Sequence, residues 1–128
     1  MSQQLANVII NDDINDELIR FFKTNHFTKI GVLVDENTKK HCLPIVENSL
    51  PSPFSIIEIK SGEEFKNLET CTSIWKALTD LAFDRKSLLV NLGGGVIGDM
   101  GGFCAATYKR GISFINIPMW EFIPVYAG

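Results

Sequence analysis

Short apolar runs alternate with longer amphipathic segments along the chain. The short runs are rich in β-branched residues and predict strands at residues 8–10, 29–34, 54–59, 88–92 and 114–117. The longer segments repeat apolar residues at intervals of three or four and predict helices at residues 12–24, 37–49 and 63–83. This alternation predicts an α/β fold: a three-layer, Rossmann-like domain whose mostly parallel sheet carries helices on both faces.

Two of the predicted helices have distinctive sequences. The segment at residues 63–83 is the most regular, and one face of it is expected to carry Phe65, Leu68, Cys71, Trp75, Leu78 and Ala82. The segment at residues 37–49 contains Pro44, which predicts a kink or a late start because proline cannot donate a hydrogen bond inside a helix.

The fold class indicates which loops to search for function. Ligands of open α/β sheets bind beyond the carboxyl ends of the strands. The segments that follow the predicted strands there are residues 35–37, residues 60–66, the glycine-rich residues 91–103 and Pro118. We expect the first three, which are polar or rich in glycine, to converge at one edge of the sheet.

The glycine-rich segment NLGGGVIGDMGGF, residues 91–103, lies between a predicted strand and a predicted helix. Closely spaced backbone N–H groups at a helix start suit a phosphate or pyrophosphate. Its G-x-G-x-x-G match is weak evidence by itself, and a tight turn that binds nothing remains an alternative. Gly101 and Gly102 would each cost a helix about 1 kcal/mol relative to alanine, which indicates that something approaches that backbone closely.

The polar residues of these loops allow two interpretations each. Asp35 and Asn37 could bind a ribose diol or could cap the following helix. Glu63 and Lys66, three residues apart, could form a weak surface ion pair. Asp99 lies one turn into the glycine-rich helix, where the helix dipole alone would favour it.

Composition narrows the possibilities. The formal charge of −3 argues against a nucleic-acid surface, and no apolar run reaches the roughly 18 residues of a membrane span. The N-terminus lacks a secretory signal, so a cytoplasmic location is expected. Cys42, Cys71 and Cys104 have no metal-binding spacing and are expected to be reduced thiols. The two histidines have no second ligand at metal spacing, so no metal site is predicted in this chain.

The motifs as a set resemble one enzyme family. The segments GGGVIGD at 93–99, GFCAATYKRG at 102–111 and FINIP at 114–118 resemble the signature of 3-dehydroquinate synthases. GEEFKNLE at 62–69, DRKS at 84–87 and the D-x-N at 35–37 also resemble motifs of that family. The resemblance covers roughly residues 29–118, and related sugar-phosphate cyclases share part of it.

The resemblance implies a reaction and its cofactors. Family members convert 3-deoxy-arabino-heptulosonate 7-phosphate to 3-dehydroquinate and phosphate in the shikimate pathway, with NAD+ and a divalent metal, usually zinc. It implies that Asp35 and Asn37 bind the adenosine side of NAD+ and that Glu63 and Lys66 hold its ribose. The remaining carried-over cofactor residues are Gly94, Gly95 and Val96 at the pyrophosphate and Asp99 at the nicotinamide half.

The resemblance also implies a homodimer. Arg110 matches an arginine that reaches the substrate phosphate in the neighbouring subunit, although a solvated charge at a helix end would also explain it.

The chain departs from the family after Pro118. Two threonines are expected there, but Met119 and Trp120 follow. We therefore expect residues 1–118 to be the NAD-binding domain and residues 119–128 to be a tail foreign to the family. The family's helical C-terminal domain with its metal ligands has no counterpart in this sequence, so the chain is expected to contain no catalytic residue and to be inactive alone. A related sugar-phosphate cyclase and a stand-alone nucleotide-binding module are the alternatives.

Overall fold

A computed structural model describes residues 14–118 of the chain. The strand predicted at residues 8–10 and the tail predicted at 119–128 lie outside the described residues. The strands are β1 (Ile30–Asp35), β2 (Ser55–Ile59), β3 (Leu88–Leu92) and β4 (Ser113–Ile117). The helices are α1 (Ile14–Thr24), α2 (Glu36–His41), α3 (Leu43–Val46), α4 (Leu68–Asp80) and α5 (Gly95–Thr107). Single 3-10 turns lie at Glu47–Ser49 and Glu63–Phe65, and a turn with positive φ angles lies at Tyr108–Arg110.

The four strands form one parallel sheet in the order β2-β1-β3-β4. Alternate residues of each strand face opposite sides. Val32 and Val90 pack with α1 and α3, whereas Leu33 and Leu89 pack with α4 and α5 on the other face. The predicted three-layer α/β architecture with a parallel sheet is therefore confirmed.

The helix predicted over residues 63–83 is wrong in its extent. The chain forms a 3-10 turn at Glu63–Phe65, and α4 begins only at Leu68. Asn67 is the cause: its side chain accepts a hydrogen bond from the Thr70 amide at 2.9 Å and caps the new helix. The predicted apolar face is also displaced, because Leu68 is 68% exposed whereas Ile74, absent from that face, is fully buried.

The segment predicted as a helix at residues 37–49 is divided, as Pro44 indicates. Helix α2 ends at His41, and Pro44 occupies the first turn of α3, where its missing N–H costs nothing. All three cysteines are buried and form no disulfide within the described residues, and burial raises the pKa of Cys42 to about 11. Within residues 14–118, every helix is too short or too polar to cross a membrane.

Candidate cofactor-binding edge

The carboxyl ends of the strands meet in register at one edge of the sheet, which we call the carboxyl edge. Asp35 at the end of β1 pairs with Ile59 at the end of β2. Leu92 at the end of β3 pairs with Ile117 at the end of β4, and the Gly93 amide donates to the Ile117 carbonyl at 3.0 Å. The predicted convergence of the polar and glycine-rich loops at this edge is confirmed.

Residues 93–95, the glycine turn, connect β3 to α5. Gly93 has a φ of +151°, and a Cβ there would lie 2.7 Å from Ile97 and 2.9 Å from Thr38, so only glycine fits. Gly94 is the N-cap of α5 and supplies no side-chain cap. The first N–H groups of α5 are consequently left without a side-chain acceptor from their own cap.

Gly95 differs from Gly93 in its surroundings. A Cβ built at Gly95 has no described atom within 4 Å apart from its chain neighbours and the adjoining backbone of α5. The absence of a side chain there is therefore not needed for packing against residues 14–118. It leaves open space in front of the first turn of α5, where an anion could approach the backbone of Gly95 and Val96.

Gly101 lies on the opposite side of α5, against the sheet. A Cβ at this position would be 1.8 Å from Oδ1 of Asn91 on β3. The close approach that the sequence predicted is thus confirmed at Gly101, whereas at Gly102 a Cβ would lie 3.4 Å from Phe114, an ordinary contact distance. Glycine at residue 101 allows α5 to lie directly on β3.

Asn91 is a buried polar residue that links β3 to β4, and the sequence analysis did not identify this role. It is 1% exposed, and its Nδ2 donates to Oδ1 of Asn116, its register partner on β4, at 3.0 Å. Its Oδ1 has no hydrogen-bond partner among the described residues. The one available signal was an asparagine inside an otherwise apolar strand.

Lys66 connects two of the loops at the carboxyl edge. Its Nζ lies 2.9 Å from Oδ2 of Asp99 on α5 and 3.7 Å from Oε1 of Glu63. The hydrogen bond with Asp99 raises the pKa of Lys66 above its ordinary value. The Glu63–Lys66 ion pair expected from their spacing is present, but the shorter contact is to Asp99. Three residues predicted to contact a cofactor therefore form one cluster beside the glycine turn.

Asp35 caps the following helix, which was one of the two roles that the sequence allowed for it. Its Oδ1 accepts from the amides of Asn37 and Thr38, each at 2.8 Å, and the Asp35 amide donates to Thr38 Oγ1 at 2.9 Å. This reciprocal capping box fixes the start of α2. Asn37 projects toward the neighbouring loop, where its Nδ2 donates to Ser61 Oγ at 3.4 Å.

Glu36 was not singled out from the sequence, although it occupies the middle of the D-x-N motif. Its carboxylate accepts hydrogen bonds from the Ser61 amide, at 3.0 Å, and from the Ser61 hydroxyl. The Ser61 hydroxyl is the main cause that lowers the pKa of Glu36. Glu36 and Asn37 together tie the loop after β1 to the loop after β2.

Arg110 lies away from these residues, beyond the C-terminus of α5. This helix has 13 residues, so its two ends are separated by about 20 Å at 1.5 Å per residue. The neighbouring Lys109 donates to the carbonyl of Phe83, which precedes β3 at the opposite edge of the sheet. Arg110 is therefore not part of the cluster at the carboxyl edge of its own chain. Among residues 14–118, no group of three or more His, Cys, Asp or Glu side chains could hold a metal ion.

Two solved structures share this fold. The structure of 2-deoxy-scyllo-inosose synthase complexed with carbaglucose-6-phosphate, NAD+ and Co2+ matches with a TM-score of 0.78 at 22% identity, over 87% of this chain and 31% of that one. The structure of 2-epi-5-epi-valiolone synthase from Streptomyces hygroscopicus with NAD+ and Zn2+ bound matches with a TM-score of 0.65 at 19% identity, over 88% of this chain and 32% of that one. At such identities the likeness shows the fold alone.

Two relatives found by sequence share a higher identity with this chain than these two structures do. The 3-dehydroquinate synthase of Parabacteroides distasonis is 44% identical over 120 residues, which are 92% of this chain and 33% of the relative. The 3-dehydroquinate synthase of Clostridium acetobutylicum is 40% identical over 123 residues, which are 92% of this chain and 34% of the relative. The chain thus spans about a third of the length of these relatives.

The family assignment rests on the segment that carries most of the site. The sequence model of the family described as 3-dehydroquinate synthase N-terminal matches residues 56–121. That match includes Lys66, the glycine turn, Asp99 and Arg110, and it covers about half of the 128 residues. The chain belongs to the 3-dehydroquinate synthase family.

Proposed function

We propose that this chain is the N-terminal, cofactor-binding part of a 3-dehydroquinate synthase and that its carboxyl edge binds NAD+. The observation that carries the proposal is the glycine turn at the start of α5, with open space at Gly95 inside the segment that matches the family. Both structural neighbours named above were solved with NAD+, which supports the same cofactor for this fold.

The residues at the carboxyl edge suit several parts of NAD+. Gly94, Gly95 and Val96 would offer backbone N–H groups to the pyrophosphate at the positive end of the α5 dipole. At the β1 end, the second oxygen of the capping carboxylate of Asp35 would accept from an adenosine ribose hydroxyl, with Asn37 beside it.

The Lys66 cluster would contact two further parts of the cofactor. Lys66 and Glu63 would hold a ribose, and Asp99 would reach the nicotinamide half. Because these three side chains are at least 39% exposed, their present ion pairs stabilise the fold little and can exchange for ligand contacts at low cost. Bound NAD+ would supply reversible hydride transfer, and oxidation of a ring alcohol acidifies the neighbouring C–H and eases loss of phosphate.

The proposed substrate is 3-deoxy-arabino-heptulosonate 7-phosphate, with 3-dehydroquinate and phosphate as products and the shikimate pathway as the setting. The two 3-dehydroquinate synthases named above are 44% and 40% identical to this chain, whereas the inosose and valiolone synthases are 22% and 19% identical, which favours the former substrate. We propose that the enzyme is a homodimer in which Arg110 binds the substrate phosphate in the neighbouring subunit. The divalent metal, zinc or another, would need ligands from outside residues 14–118.

NAD+ titration of the 128-residue chain tests the cofactor proposal. We expect weak but saturable binding of both NAD+ and ADP-ribose, because the residues that we propose for the pyrophosphate and the adenosine lie within the described residues. Amide resonances of the glycine turn and of Asp99 should shift together in a heteronuclear NMR titration. ADP-ribose isolates these contacts from the nicotinamide ring. If neither ligand moves these resonances at millimolar concentration, the turn is only a structural connection.

A phosphate-release assay tests whether the 128-residue chain binds the cofactor without catalysing the reaction alone. We expect the purified 128-residue chain to release no phosphate from the heptulosonate phosphate with NAD+ and zinc present. The reason is that the residues proposed to bind NAD+ lie at one open edge, and closure of a catalytic site is needed to exclude water. A complete synthase, meaning these residues joined to the remaining length of the Parabacteroides distasonis relative, is the positive control. Sustained turnover by the 128-residue chain would contradict the expectation.

A further inference from the structure

Residues 109–111 form an unusual turn between α5 and β4. Lys109, Arg110 and Gly111 have consecutive positive φ angles of 45°, 70° and 105°. Only glycine adopts such angles readily, and side chains other than asparagine and aspartate rarely do. Two successive non-glycine residues in this region therefore require contacts that hold them there.

Lys109 supplies the side-chain contacts that hold the turn. Its Nζ donates to the carbonyl of Phe83 at 3.2 Å and lies 5.6 Å from the centre of the Tyr108 ring. Both partners are fixed, because Phe83 is 1% exposed and the Tyr108 hydroxyl is 3.2 Å from Thr79 Oγ1 on α4. The ammonium group is thus anchored to the body of the domain by a charge-assisted hydrogen bond and a cation–π contact.

Arg110 is exposed at the apex of this turn. No ion pair or side-chain hydrogen bond with another of the residues 14–118 holds its guanidinium group. Its direction is therefore set by the backbone of the turn. A relaxation of residue 109 to the favoured right-handed region would rotate the following peptide and turn Arg110 away.

We propose that Lys109 is a positioning residue for Arg110. By bonding to the Phe83 carbonyl, its ammonium group holds the left-handed turn that presents Arg110 to the phosphate group of a sugar-phosphate substrate in a neighbouring subunit. The proposal rests on the function proposed above for Arg110. It adds a residue that contacts neither substrate nor cofactor and acts on substrate binding through its neighbour.

Substitutions in the complete synthase test the proposal. Lys109→Met keeps the length of the side chain but removes the donor, and we expect the KM for the heptulosonate phosphate to rise about tenfold, because the guanidinium would lose its fixed geometry toward the phosphate. The KM for NAD+ should stay at the parent value. Lys109→Arg should restore most of the substrate KM, because a guanidinium can also donate to the Phe83 carbonyl. Lys76→Met is the matched control, since the partner of Lys76 among residues 14–118 is Asp80 in its own helix.

Arg110→Ala separates this inference from the function on which it rests. Arg110→Ala should raise the substrate KM more than Lys109→Met does, and the double variant should resemble Arg110→Ala alone. If Arg110→Ala leaves the substrate KM unchanged, the role of Arg110 is wrong and the inference falls with it. If Arg110→Ala impairs substrate use and Lys109→Met does not, only the inference is overturned. An equal rise in both KM values for Lys109→Met would indicate general damage and would also overturn it.

Amide hydrogen exchange in the 128-residue chain measures how firmly Lys109 holds the turn, and it does not depend on enzyme activity. The Gly111 amide donates to the Tyr108 carbonyl at 2.6 Å and reports closure of the turn. Lys109→Met should accelerate exchange at Gly111 about tenfold while amides of β1 and β3 keep the parent rates. Unchanged exchange at Gly111 would show that Lys109 does not hold the turn.

Discussion

Gly101→Ala is expected to destabilise the domain by at least about 3 kcal/mol, the upper end of the usual cost of overpacking a core. The added methyl group would lie 1.8 Å from Oδ1 of Asn91, which is far inside van der Waals contact. Asn91 cannot withdraw easily, because it is 1% exposed and bonded to Asn116 on the adjacent strand. Helix α5 would have to lift from β3, and the gain of about 1 kcal/mol in helix propensity cannot offset that.

Urea or thermal unfolding of the 128-residue chain measures the effect. Gly98→Ala is the matched control in the same helix, because its Cβ would lie 3.7 Å from Asn116, an ordinary contact distance. This control should unfold near the parent midpoint or slightly above it. The double variant Asn91→Ala, Gly101→Ala should recover part of the lost stability, since the conflict is between those two side chains. Gly101→Ala with parental stability would mean that α5 does not lie against Asn91.

The sequence predicted the layers of this fold because the two hydrophobic periods are local signals. Strands β1 and β3 are almost continuous apolar runs whose successive residues are buried on opposite faces of the sheet, so the pattern requires helices on both faces. Loops at the carboxyl ends of parallel strands meet at one edge of the sheet. The position of the polar loops could therefore be predicted without knowing any contact between them.

The start of the helix predicted over residues 63–83 was wrong because one side-chain hydrogen bond outweighed the helical spacing of the apolar residues. Asn67 caps α4 with its side chain, so the helix predicted from residue 63 begins only at Leu68, which is exposed. An asparagine within a helical pattern signals a cap only weakly, because the same residue is tolerated inside helices at a modest cost. The start of this helix therefore could not be read from spacing.

Other features are invisible in the sequence because they join distant residues. Lys66 pairs with Asp99, 33 positions away, and Asn91 pairs with Asn116, 25 positions away. No local pattern encodes which of several carboxylates an exposed lysine will contact. The sequence did predict that the backbone at Gly101 is closely approached, but it could not identify Asn91 as the group that approaches it.

Two glycines of α5 that belong to the same glycine-rich segment differ in what requires them, which is packing for one and open space for the other. Gly101 is required by the protein itself, since its missing Cβ makes room for Asn91. Gly95 has no described neighbour within 4 Å of its hypothetical Cβ, so packing does not require it. A substitution at Gly95 should therefore leave folding nearly unchanged and act on whatever occupies the open space.

Gly95→Val in the complete synthase is expected to lower the affinity for NAD+ by at least about 100-fold, because backbone hydrogen bonds to a charged group contribute about 1.5–3 kcal/mol each and several would be lost. The branched side chain would project into the space in front of Gly94 and Val96, where the pyrophosphate is proposed to lie. Gly95→Ala should have the same effect to a smaller degree, since its methyl group reaches less far.

Calorimetric titration with NAD+ and ADP-ribose measures the loss, and an unfolding curve of each variant shows that the fold is retained. ADP-ribose should lose affinity in parallel with NAD+, because both contain the pyrophosphate. A selective loss of NAD+ would place the obstruction at the nicotinamide end instead. Gly95→Val with parental affinity for both ligands would show that the cofactor does not approach α5 here. Because Gly101→Ala should lower the stability of the fold and Gly95→Val should not, the pair distinguishes a glycine kept for packing from one kept for a ligand.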